Sequence, residues 1–245
     1  MPIGPAVMLV AAGLLSASSA FAAHGQMTMF RVRIENISQG NVFKLSSGGA
    51  APFALSPGVW LVHRGSAHVF KSGEHDWGES LEAQAEDGNP TMLEESLKKH
   101  SKVKSVGIFN TPTDASGPGP IVPGAAYEFE FSAVPGTRLT IVAMFEQSND
   151  VFYAPKEAGI ALFDKKGKPI QGDITRDFIL WDAGTEINQE PGAGPDQAPR
   201  QKAPNIGADE HGVVRGAKDQ YTYPKTVEVL RVTITPAMPA TAHKY

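Results

Sequence analysis

The sequence predicts an all-β fold, an antiparallel β-sandwich with one or two short helices and a long Pro/Gly-rich loop. Three observations predict it. The 245 residues include 25 Gly and 19 Pro, the punctuation of a turn-rich chain. Several short segments alternate apolar and polar residues with the period of two that a half-buried strand requires. Only Thr91 to His100 reads clearly as a helix. A hydrophobic content of 41% with 20% charged residues suits a packed core and excludes a disordered chain.

Taken in order, the chain opens on an address. Ala6 to Leu15 is an apolar run of signal-peptide length, followed by small residues and the A-x-A pattern Ala20-Phe21-Ala22. Cleavage after Ala22 is expected, leaving 23–245 as a single domain with its core at about 28–236. The apolar run is shorter than the roughly 20 residues a membrane span needs, and no other segment qualifies. The mature chain is therefore expected to be exported, periplasmic or secreted, with no transmembrane segment. The first five residues carry no Lys or Arg, which departs from the usual signal-peptide start.

Thr28 to Ile37 is the first expected strand: Phe30, Val32 and Ile34 face one way, Arg31, Arg33 and Glu35 the other. Gly48-Gly49 to Pro57-Gly58 reads as loop, Val59 to Val62 as a short apolar run, and Phe70 to Gly78 as loop again. Leu81 to Ala85 reads as a short helix closed by Gly88, after which Asn89-Pro90 looks like an N-cap and first helical proline. The helix that follows pairs Leu93 with Leu97 and ends in Lys98, Lys99 and His100, where positive charge is favoured. Ile108 to Gly124 is rich in Gly, Pro and Thr. Tyr127, Phe129 and Phe131 then alternate with Glu128, Glu130 and Ser132, Pro135-Gly136 signals a turn, and Leu139 to Phe145 is apolar on both faces, as a central strand would be. Ile160 to Phe163, Phe178 to Trp181 and Thr226 to Thr235 are the remaining expected strands; the alternation of the last slips between Val229 and Leu230, which suggests a bulge. Between Asp182 and Pro224 lie 43 residues with 6 Gly and 5 Pro and no clear period, a loop long enough to require something that holds it.

Charge and cysteine usage narrow the chemistry. With 22 Lys+Arg against 26 Asp+Glu, the net charge is −4, which argues against nucleic acid as a partner. The absence of Cys excludes disulfides, thiolate zinc sites, Cys nucleophiles, iron–sulfur clusters and a lipoprotein anchor.

Four carboxylates lie at or near strand ends. Glu130 is on the Tyr127–Ser132 strand, Asp150 closes Ser148-Asn149-Asp150, and Asp182 and Glu186 bracket the turn Asp182-Ala183-Gly184-Thr185-Glu186. Calcium takes roughly 6–8 oxygen ligands, and a D-x-G-x-E turn can offer two carboxylates and a carbonyl around one point. Acidic loop residues are more often simply solvated, so spacing alone leaves both readings open.

The stretch Ser148 to Pro155, then Gly159-Ile160-Ala161-Leu162-Phe163, then Trp181 to Glu186, resembles the spondin N-terminal domain family, in its bacterial single-domain branch. Leu55 to Trp60, Ala85 to Pro90, Gly117 to Pro120 and Gln197 to Gln201 extend the resemblance, in the expected order, over roughly residues 28–236. It implies an antiparallel β-sandwich with one calcium near an edge. Asp150 then takes the place of the S-x-D aspartate, Asp182 and Glu186 those of the two acids of the D-A-G-T-(D/E) turn, and Glu130 that of the glutamate on the preceding strand. It also implies an extracellular, adhesive setting. The turn ends in Glu186 where animal relatives carry Asp, Val151 stands where they carry Trp, and their cysteines and accompanying modules are missing.

Other chemistry reads as weaker. His63, His68 and His75 cluster in sequence but lack the i, i+4 spacing of a helical zinc motif and read as surface histidines. No G-x-S-x-G elbow accompanies the serines. Trp60 and Trp181 sit in apolar runs and read as core, Trp77 lies in a polar loop, and Lys165-Lys166-Gly167-Lys168 reads as a solvated hairpin tip. The function expected is that of an exported, calcium-binding, non-enzymatic binding or adhesion module whose partner is an extracellular protein, glycan or lipid surface. The alternatives are an exported hydrolase of an envelope polymer using a carboxylate pair, and a carbohydrate- or lipid-binding module.

Overall fold

The structure, a computed structural model, describes residues 27–67, 69–76 and 80–237. The expected signal peptide, His68 and Trp77 lie outside these residues. In chain order the strands are β1 (Thr28–Asn36), β2 (Asn41–Lys44), β3 (Ala50–Pro52), β4 (Leu55–His63), β5 (Val103–Phe109), β6 (Ala126–Ala133), β7 (Arg138–Phe145), β8 (Val151–Pro155), β9 (Ile160–Ala161), β10 (Gly172–Asp173), β11 (Phe178–Asp182), β12 (Arg215–Gly216) and β13 (Leu230–Ala237). Short helices α1 (Leu81–Asp87), α2 (Thr91–Lys98) and α3 (Thr226–Val229) and a 3-10 turn, Thr175–Asp177, complete it. The fold is mostly β, in antiparallel sheets, consistent with the expected sandwich.

The smaller sheet runs β10-β13-β1-β6. Its inward residues are the apolar set of the period-two pattern. Phe30 lies opposite Phe131 with rings 5.6 Å apart, and Val32 lies opposite Phe129. Its outward face is a charge ladder in which Arg31 binds Glu130 and Glu128, and Arg231 forks onto Glu35. Such exposed pairs contribute only about 0–1 kcal/mol each; they keep the outer face wet rather than hold the sheet.

The larger sheet runs β12-β11-β8-β7-β4-β5, with β9 on β7. Strand β7 explains its own composition. Leu139, Ile141, Ala143 and Phe145 join the core shared with the smaller sheet, while Val142 joins a second core with Val59, Leu61, Phe152 and Trp181. Leu81 and Ala85 of α1 and Leu93 and Leu97 of α2 cover that second core. The helices thus lie on the outer face of the sandwich wall.

Several expectations change. The Gly48–Gly58 stretch contains β3 and the start of β4 rather than loop alone. Strands β5 and β8 have no counterpart in the periodicity. In β5, Gly107 leaves its side-chain space to the Trp60 ring, which a Cβ there would approach to 2.7 Å. The slip at Val229–Leu230 is the point where α3 gives way to β13, not a bulge. Helix α2 starts one residue later than expected, with Pro90 at the N-cap, and Asn89 Oδ1 accepts the Thr91 N–H at 3.1 Å from the position before it. Gly88 closes α1 at φ 62°.

Candidate metal centre

Three segments meet at one end of the larger sheet. The turn between β7 and β8 is closed by Ser148, whose hydroxyl donates to Phe145 O (2.6 Å) and accepts the Val151 N–H (3.1 Å). This sets Asp150 at the entry to β8. Asp182 ends β11 opposite Val151, so sheet register brings the two aspartates side by side. The chain then turns at Gly184, φ 72°, whose N–H donates to Asp182 Oδ1 (2.8 Å). A side chain at Gly184 would strike the Val213 backbone at 2.7 Å. The third segment returns from the long loop. Glu210 N–H donates to Thr185 O (2.8 Å) and Gly212 N–H to Gly184 O (2.7 Å), which lays Glu210 beside the pair.

Carboxylate oxygens of Asp150, Asp182 and Glu210 lie within 4.8 Å of one another. Asp150 is 0% exposed and Asp182 1%. Asp150 Oδ2 accepts N–H groups of Thr185 (2.8 Å) and Glu186 (3.1 Å), whereas its Oδ1 is buried with no hydrogen-bond partner among the described residues. Arg215, at the start of β12, donates to Asp182 Oδ2 (3.0 Å) and to both Glu210 oxygens (2.7 and 2.8 Å). Asn188 donates to Asp182 Oδ2 (2.7 Å) and leaves its own Oδ1 buried and unpartnered.

One guanidinium faces three carboxylates, so two negative charges among these four groups go uncompensated when all are ionised. The titration follows. Burial, reinforced by the Asp182 charge, pushes the Asp150 carboxyl up to about 7 against the pull of the two backbone N–H groups. Burial also raises Asp182, opposed chiefly by Arg215.

Of the sequence-derived ligand set, the structure brings together Asp150 and Asp182 and not the other two. Glu186 is buried but turned into its own cradle, its Oε1 accepting the Gly207 N–H (2.8 Å) and its Oε2 the Asn149 amide (3.1 Å). A Cβ at Gly207 would come within 2.0 Å of that carboxylate. Glu130 stands on the outward face of β6 in the other sheet, bound to Arg31 at 2.9 Å, because the alternation that buries Phe129 and Phe131 turns it to solvent. Glu210, which the sequence reading does not single out, stands with the two aspartates in place of Glu186 and Glu130; the long loop around it shows no period from which its inward direction could be read. His63, read as a surface residue, is fully buried, with its ring nitrogens bonded to Gly65 O (2.7 Å) and Thr140 Oγ1 (2.9 Å).

No family model matches the chain, and no curated protein matches it. The donor set is all oxygen, from carboxylates and one amide, which suits a hard cation such as calcium.

Proposed function

We propose that the protein is an exported, calcium-binding β-sandwich of the spondin type that acts as a non-enzymatic binding or adhesion module toward an extracellular protein, glycan or lipid surface. The observation that carries the metal reading is Asp150 Oδ1, a carboxylate oxygen buried without a partner inside a cluster two charges short of neutrality. A divalent cation supplies both the charge and the missing partner. Asp150, Asp182 and Glu210 would hold it, with Asn188 Oδ1 beside them, and Arg215 would stay as the outer counter-charge. Binding there ties the long loop to the sheet edge, and an ion that binds only the folded state stabilises it by mass action.

Burial favours this over hydrolysis, since neither Asp150 nor Asp182 meets solvent where a polymer could reach it. Saccharide binding is the second reading, favoured by a groove of about 780 Å³ between Val42–Lys44 and Gln220–Val229 in which Tyr221 and Tyr223 lie beside Glu190 and Lys225. Melting curves of the purified protein in chelator, in millimolar calcium and in millimolar magnesium test the metal reading. A rise specific to calcium supports it, and superimposed curves overturn it.

A further inference from the structure

Four carboxylate side chains are buried among the described residues. Asp150 and Asp182 belong to the cluster, and Glu186 has its own cradle. Glu86, on α1, is the fourth. It is 2% exposed, and its Oε2 is buried with no hydrogen-bond partner among the described residues. The helix sets its direction. Leu81 and Ala85 pack into the second core and the Gln84 amide donates to Pro57 O (3.0 Å), which leaves Glu82, Ala83, Glu86 and Asp87 to line a cavity of about 310 Å³. The long loop makes the opposite wall. Asp87 Oδ1 accepts the Gln201 amide (2.8 Å) and the Asn205 N–H (3.3 Å), which holds Pro204 and Asn205 over the helix. Asn89 and Met92 complete the rim. Glu86 alone among the lining residues is buried, so it forms the floor.

We propose that this cavity binds a primary ammonium on a short aliphatic stem, with Glu86 Oε2 taking the charged head and Ala83, Met92 and Pro204 covering the stem. Charge complementarity calls for a cation, since the lining carries Glu82, Glu86 and Asp87 and no Lys, Arg or His. Glu86 and Asp87 also end α1, where the helix itself gathers negative charge, and no basic residue stands in that last turn. An ammonium offers three donors and no acceptor, so it supplies the partner that Oε2 lacks. A bare metal ion fits less well. The carboxylates of this cavity are not gathered round one point as those of Asp150, Asp182 and Glu210 are, and its volume is that of a small organic ligand. Burial raises the Glu86 carboxyl to about 8, against the pull of the Thr185 side chain and with the help of the Glu186, Glu82 and Asp150 charges. The group therefore holds its proton at neutral pH until a cation arrives, and then gives that proton up to the solvent.

The test is an amide NMR titration of the protein in chelator, so that no metal enters the comparison, with n-pentylammonium as the probe. Neutral 1-pentanol and tetramethylammonium, which has no N–H to donate, are the controls. Saturable shifts are expected at the Ala83, Asp87 and Asn205 amides with pentylammonium alone. Calorimetry of the same titration at neutral pH, in two buffers of different ionisation enthalpy, should show proton release. Glu86→Gln should weaken pentylammonium at least tenfold and abolish the proton release. Glu82→Gln, at a half-buried position, should weaken it two- to threefold and serves if the first variant fails to fold. Asp150→Asn should still bind the amine, which separates this site from the calcium reading. Nα-acetyl-lysinamide and cadaverine then distinguish a lysine side chain of a partner from a free diamine, and tighter binding of either supports the site. The proposal is overturned by the absence of saturable shifts at these amides, by a response to either control as strong as that to pentylammonium, or by unchanged affinity in the glutamate variants.

Discussion

Asp150 is the sharpest single-residue probe of the carboxylate cluster. Its Oδ2 is fully engaged, its Oδ1 is orphaned, and it makes no ion pair of its own. Asp150→Asn should therefore abolish the calcium-induced rise in melting temperature and leave the melting temperature in chelator unchanged or higher, as scanning calorimetry would show. Asp182→Asn is less clean. Asp182 also anchors Arg215 and Asn188, so its loss should cost on the order of 1–3 kcal/mol even in chelator. A second residue gives a pH signature independent of any ion. Burial pushes Glu146 up to about 7. Its folded value exceeds its unfolded one, so the native state holds an extra proton between about pH 4.5 and 7, and stability falls as pH rises through that window. Glu146→Gln should flatten that fall and gain on the order of 2 kcal/mol at pH 8, read by urea denaturation at pH 5 and pH 8. Asp150 and Asp182 were legible in the sequence because each sits in a compact local motif. Glu210 was not, because it reaches them through an irregular loop whose path only backbone pairing with Thr185 and Gly184 defines. His63 reads as exposed for the opposite reason: it is a polar residue at a strand end, and the Gly65 carbonyl and Thr140 hydroxyl that satisfy its buried ring leave no local signal.

At the level of elements, legibility tracks how many faces a segment buries. Strands β1 and β6 bury one face, and their alternation shows directly. Strand β7 buries two and shows as a continuous apolar run. Strand β5 carries Lys104, Ser105 and Gly107 and is made a strand by its pairing with β4 and by the Trp60 ring laid over Gly107, neither of which a local pattern reveals. The slip at Val229–Leu230 reads as a bulge because one turn of helix disrupts period two as a bulge does. The α1 stop is legible from Gly88, and the structure adds a second demand on that glycine: a Cβ there would meet Ser56 Cβ at 2.7 Å. Gly88→Ala should cost about 2 kcal/mol or more, combining left-handed backbone strain with that clash, in a chemical denaturation series.

Across the whole molecule, the long segment after Asp182 is the part whose order depends most on a few polar contacts. Gln197 is fully buried and donates to Glu190 O (2.9 Å), Arg200 donates to Gly194 O (2.7 Å), and the pairing of Ile187 with Ala208, of Thr185 with Glu210 and of Gly184 with Gly212 returns it to the sheet. Limited proteolysis should cut between residues 187 and 210 faster in chelator than in calcium, with the sandwich strands resisting in both. Among the described residues no helix is long and apolar enough to cross a membrane. The class of fold was legible from composition and periodicity together, while the helical cover over the outer face of the larger sheet was visible only as two short helices without a place.

The double burial of β7 has a consequence for how the molecule comes apart. Its amides pair with β4, β8 and β9, and its side chains serve two apolar cores at once. Peeling off the helices strips one side of the strand, and opening the sandwich strips the other. Neither layer can depart without loosening the wall on which the other rests. Hydrogen exchange should accordingly find the slowest amides in Ile141 to Ala143, exchanging only through global opening, and heat should unfold both cores in a single transition.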